Sequence, residues 1–83
     1  MGQKTAMQAD RELDITSDVC PMTFVRTKIA LEGMAVGQVL RVVLRGEEPL
    51  ANVPRALLDH GQEVLAVRPL ADGCHELWVR RRR

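Results

Sequence analysis

Two side chains in this sequence can act as strong nucleophiles near neutral pH, the thiols of Cys20 and Cys74. Cys20 stands directly before Pro21, where a run that reads as a strand exit meets a run that reads as a helix start. The open N–H groups of a first helical turn, together with the helix dipole, favour negative charge. A thiol placed there loses its proton more readily than one in a strand or a core, and such cysteines reach pKa values of about 3.5–7.5. The chemistry implied at Cys20 is attack by a thiolate. Arg26 and Lys28, further along the same helix, add positive potential if they turn towards it. The plainer alternative is a small buried hydrophobe that happens to precede a helix.

Nothing else forms a catalytic constellation. Cys74 opens the last strand straight after a turn and reads as an ordinary hairpin residue, with a resolving thiol for Cys20 as the sharper alternative. His60 and His75 are the only histidines, and no Cys-His-Asp grouping follows from their spacing. Neither a Cys-x-x-Cys nor a His-x-x-x-His pair is present, so no metal site and no cofactor are expected.

The elements that must position Cys20 can be read from periodicity. Residues 12–16 alternate as a short strand with Leu13 and Ile15 inward. A helix is expected from Pro21 to Glu32, since proline suits the first helical position. Phe24, Thr27, Ala30, Leu31 and Met34 form its core stripe. Met22, Val25 and Ile29 fall on another side of that helix. They pack under a second helix or against the chain's beginning, or they stay exposed beside Cys20 as a docking patch for protein partners. Residues 38–44 read as a buried strand. Glu47-Glu48-Pro49 reads as a turn into a second helix capped by Asn52, with Pro54 in its first turn and Gly61 at its exit. Val53, Ala56 and Leu57 line its inner face. Residues 63–68 and 75–81 alternate as strands around an Ala71-Asp72-Gly73 turn. The order β-α-β-α-β-β predicts an α/β (α+β) two-layer sandwich, two helices packed on one face of a four-stranded mixed sheet, with right-handed crossovers between parallel strands.

Composition bounds the rest. The chain has 83 residues, 46% of them hydrophobic and 28% charged, a folded rather than a disordered balance. That length suits a single domain, expected over 11–81, with residues 1–10 as an unstructured leader and 82–83 as the end of a basic tail. A net charge of +1 argues against a nucleic-acid-coating role. Arg80 to Arg83 close the sequence and read as a solvated tail, or alternatively as an electrostatic handle for RNA or an acidic protein. No run approaches the roughly 20 apolar residues of a membrane span. Two cysteines in unlike surroundings make no disulfide framework, which points to a reducing cytoplasm.

From Leu13 to Val79 the sequence resembles the TusA/SirA-like family of small sulfur-carrier proteins. Leu13-Asp14 followed by Cys20-Pro21 looks like the family's opening strand and its Cys-Pro-x-Pro motif, and Glu47-Glu48-Pro49, Asn52-Val53-Pro54 and the stretch from Gly61 to Val64 resemble later landmarks in order and spacing. The resemblance implies the same two-layer fold. It also implies a cysteine, here Cys20 with Pro21 supporting it, that takes sulfane sulfur as a persulfide from a cysteine desulfurase or rhodanese-like donor. The sulfur is then passed to a downstream acceptor protein, which makes the chain a sulfurtransferase component with no membrane or direct nucleic-acid role. Thr23 stands where the family has a second proline and Ser17 where glycine is common, departures that bear on the helix start and on the surface a partner reads. Two other functional classes compete: a regulatory or adaptor domain that keeps the fold without using Cys20, and a small RNA-binding module. The latter lacks an aromatic platform, because Phe24 reads as core and Trp78 alone cannot stack several bases.

Overall fold

The computed structural model describes residues 9–19 and 22–83. Strand β1 (Arg11–Asp14) leads to helix α1 (Met22–Glu32), strand β2 (Val39–Arg45), helix α2 (Glu47–Asp59), strand β3 (Glu63–Pro69), a short 3-10 turn (Ala71–Gly73) and strand β4 (Cys74–Arg80). The four strands lie in the order β1-β2-β4-β3. β1 runs parallel to β2, which needs the crossover that α1 supplies, while β2–β4 and β4–β3 are antiparallel. The two-layer α+β sandwich with a mixed sheet expected from the element order is therefore present.

Alternation along the central strands sets the layers. Leu40, Val42 and Leu44 of β2 and Leu77 and Val79 of β4 point to one face and are fully buried. They form one core with Ala30 and Leu31 of α1 and Val53 and Leu57 of α2, so both helices cover the same face. Each such leucine contributes about 1.5–3 kcal/mol by leaving water. The stripe expected on α1 holds at Thr27, Ala30, Leu31 and Met34, all buried, whereas Phe24 sits half-buried at the core's edge. On α2, Val53 and Leu57 are buried and Ala56 half-buried.

The start of α2 differs from the expectation. Asn52 does not cap it: the helix begins at Glu47, so Glu47-Glu48-Pro49 is its first turn, Asn52 is exposed in mid-helix and Pro54 is interior. Gly46 makes the change of direction possible with a φ of 96°, a conformation glycine adopts without a Cβ penalty. The two glutamates complement the positive end of the helix dipole, and Pro49 lies where no intrahelical N–H partner is needed. Strand ends elsewhere shift by one or two residues. β1 stops at Asp14 because its carboxylate accepts from the Thr16 N–H at 2.9 Å and the Thr16 hydroxyl at 2.7 Å, turning the chain.

The sheet's outer strand β3 carries a register shift between Val64 and Ala66 and ends in Pro69. Between β3 and β4 the chain reverses through Asp72 and Gly73, both left-handed, as the Ala71-Asp72-Gly73 turn required.

The basic run at the end of the sequence is not a freely solvated tail. Arg80 and Arg82 both pair with Glu63, at 3.7 and 3.0 Å. The Arg82 backbone N–H donates to Gln62 Oε1 at 2.7 Å. Arg81 donates to the carbonyl oxygens of Glu32 and Met34 at the far end of α1, and to that of Arg83 at 2.7 Å. The opposing carboxylate and the unsatisfied carbonyls of a helix end give these cations partners that a composition-level reading does not see.

Candidate functional site

Cys20 and Pro21 lie outside the described residues, and the site is defined by what flanks them. The segment leaving β1 is fixed at several points. Ile15 is buried, and its N–H donates to the Val43 carbonyl at 2.9 Å. The Asp18 N–H donates back to Ile15 O at 3.1 Å, and the Met22 N–H donates to Val19 O at 2.8 Å. The backbone hydrogen bond from Thr16, then that from its hydroxyl, and the charge of Arg26 hold the Asp14 carboxyl below its ordinary pKa.

Charge near the start of α1 is arranged simply. No acidic side chain occupies its first turn. Asp18, the carboxylate nearest in sequence to Cys20, is bonded to Arg26 at 2.7 Å. Arg26 is therefore spent in a local ion pair. Lys28 is exposed and has no hydrogen-bonded or ion-paired partner among the described residues.

The apolar surface is more telling. Of the three residues expected on a separate side of α1, Met22 is 47% exposed and Ile29 62%, while Val25 is half-buried. Met22 and Ile29 are therefore not packed beneath α2. Val19, which sequence reasoning passed over, is 74% exposed. Its only sequence signal was an apolar side chain directly before Cys20. Val19, Met22 and Ile29 thus offer exposed hydrophobic side chains on both sides of the cysteine in sequence. Thr23, by contrast, is 1% exposed, and its carbonyl accepts the buried Thr27 hydroxyl at 2.8 Å. Thr23, which stands in place of a second proline, therefore belongs to the interior of the first helical turn and not to the exposed surface.

Cys74 is half-buried at the start of β4, its Sγ 4.0 Å from the Asp72 carbonyl oxygen, a weak contact that fits a hairpin residue. His60 closes α2 and packs on Phe24 at 5.0 Å between ring centroids. His75 lies in β4 beside Leu44. Among the described residues no three His, Cys, Asp or Glu side chains converge as a metal site. Trp78 is 9% exposed, so its ring presents no open stacking face. No helix among the described residues is long and apolar enough to cross a membrane.

Comparison with known proteins bears on this arrangement. The family model described as "Sulfurtransferase TusA" matches residues 11–81. A protein of Archaeoglobus fulgidus named "Putative sulfur carrier protein" is 41% identical over 66 residues, covering 80% of this chain and 75% of its own length. A similarly named protein of Methanocaldococcus jannaschii is 37% identical over 57 residues, 69% of this chain and 76% of that protein. Among solved structures, the crystal structure of a SirA-like protein from Desulfitobacterium hafniense superposes with a TM-score of 0.77. It covers 88% of this chain and 99% of that one at 20% identity, a likeness of fold alone.

Proposed function

Since the chain belongs to the TusA sulfurtransferase family, we propose that it is a cytoplasmic sulfur carrier whose Cys20 takes up sulfane sulfur as a persulfide and relays it to an acceptor protein. The observation that carries this reading is the position of α1: its first residue, Met22, follows Cys20 by two places in the sequence, and its first turn holds no carboxylate. A helix start of this kind favours a thiolate. Asp18 would oppose that charge, but Arg26 already neutralises it.

The reaction is a sulfur exchange without net oxidation. The Cys20 thiolate attacks the outer sulfur of a donor persulfide, such as that of a cysteine desulfurase or a rhodanese-like protein. A new S–S bond forms on Cys20 as the donor's S–S bond breaks, and the donor cysteine leaves as a thiolate. The acceptor's thiolate then repeats the step on the Cys20 persulfide. No general base is required when the attacking group is already ionised. The exposed side chains of Val19, Met22 and Ile29, with Val25 between them, form the surface on which donor and acceptor dock in turn.

Intact-mass spectrometry after incubation with a cysteine desulfurase and cysteine tests the assignment. Wild type gains one sulfur atom, removable by reductant, and Cys20→Ser gains none. A wild type that stays unmodified with several donors would sink the carrier reading in favour of an adaptor. Ile29→Asp tests the docking surface. Because Ile29 is mostly exposed, the variant keeps its thermal stability, and sulfur transfer slows by tenfold or so, a typical loss of about 1–2 kcal/mol for one interface residue. An Ile29→Asp protein that unfolds would return this residue to the core.

A further inference from the structure

We propose that the cleft between α1 and the exit of α2 is a binding site for a small organic anion with an apolar body. The cleft encloses about 220 Å³. That is the liquid volume of roughly seven waters and lies below the roughly 300 Å³ at which drug-sized sites begin. Its occupant is correspondingly small. The cleft shares no residue with the exposed Val19, Met22 and Ile29 surface.

The lining separates into a floor and a rim. The half-buried Phe24 ring supplies the apolar floor, backed by the core residues Leu31 and Leu57. The His60 ring packs on Phe24 and is held by the Nδ1 contact to Ala56 O at 2.9 Å, so this wall is preformed. The rim carries Lys28, Arg81 and Arg83 against one carboxylate, Glu32. Arg81 is committed to carbonyl oxygens at the end of α1. The side-chain nitrogens of Lys28 and Arg83, however, have no hydrogen-bond or ion-pair partner among the described residues.

Arg83 is steered to this rim by its surroundings. Its side chain lies over Gly61, where an added Cβ would fall 2.7 Å from Arg83 Cδ and Nε. Its backbone N–H approaches Gln62 Oε1 at 3.4 Å. Two cations without partners above a preformed apolar floor recognise one kind of ligand, a carboxylate or similar anionic group joined to a short hydrocarbon or aromatic body. Inorganic anions meet the rim but forfeit the floor.

The test uses the full chain, labelled with nitrogen-15 and titrated with phenylacetate, phenylacetamide and inorganic phosphate. Phenylacetate gives saturable amide shifts centred on Phe24, Lys28, Leu57 and His60. Phenylacetamide, of the same shape without the charge, binds about tenfold more weakly, the typical value of one charge-assisted contact. Phosphate binds more weakly than phenylacetate. The Lys28→Gln/Arg83→Gln double variant keeps the wild-type spectrum outside the cleft and loses phenylacetate binding tenfold or more. The site is overturned if phenylacetate causes no saturable shifts or shifts centred elsewhere. Equal binding of the amide or of phosphate, or full binding by the folded double variant, overturns it as well.

Discussion

Glu76 lies on the face of the sheet turned away from the helices, with its carboxylate 2.7 Å from Arg41 Nε. Desolvation pushes this carboxyl's pKa up, but the hydrogen bond from Arg41 and the charges of Arg41 and Arg68 outweigh it, and the group is held below its ordinary value. A carboxyl held low in the native state adds stability that is complete above the ordinary glutamate range and is lost as pH falls through the native value. Glu76→Gln therefore removes about 1 kcal/mol at neutral pH and flattens the decline of stability on acidification, as urea denaturation at a series of pH values checks. An unchanged acid slope would mean that other carboxylates carry it. The pair joins residues 35 positions apart, on diagonal neighbours of β2 and β4. Neither residue announces the other in the sequence. The Asp18–Arg26 pair is equally silent, since it depends on how the chain turns into α1. The proposal for Cys20 rests by contrast on a signal that is local in the sequence, a thiol followed by proline at a change of periodicity.

The order and type of every element could be read from periodicity, because burial on one face imposes alternation on strands and a three-to-four spacing on helices. The error at α2 has a definite cause. Glu47-Glu48-Pro49 and Asn52-Val53-Pro54 both look like helix starts, and two prolines five residues apart invite the later choice. Side-chain acceptors favour Asn52, but the acidic first turn and the left-handed Gly46 favour the earlier start, and the longer helix buries Val53 and Leu57 together. The result is a proline in a helix interior, which removes the N–H that Leu50's carbonyl would accept. Pro54→Ala accordingly stabilises the protein by about 1 kcal/mol, part of the gain being offset by a more flexible unfolded chain. The melting temperature rises by about 4–8 °C, whereas Pro49→Ala in the first turn brings no such increase. A lower melting temperature for Pro54→Ala would show that the ring's half-buried contacts outweigh the missing hydrogen bond.

Across the whole molecule, the last residues of the sequence close the sandwich. Arg81, one residue beyond β4, reaches the carbonyls of Glu32 and Met34 and so ties the final strand to the far end of α1, 49 residues away along the chain. Arg81→Gln is expected to cost about 1–2 kcal/mol, with a fall in melting temperature of about 4–8 °C for each kcal/mol. Arg82→Gln, an exposed ion pair, stays within about 0.5 kcal/mol of wild type. Equal effects of the two would remove the special role of Arg81. This closure was the least legible part of the fold, because a run of four arginines carries no local mark of which one meets a helix end. The sheet's two borders have a consequence of a different kind. Among the described residues, β1 is four residues long with three charged side chains, and β3 is broken by its register shift and ends in proline. Neither offers the long, flat, unpaired row of N–H and C=O groups that recruits a further strand. The fold is thereby guarded against edge-to-edge polymerisation, and the protein can remain dispersed at high concentration without templating fibrils of itself.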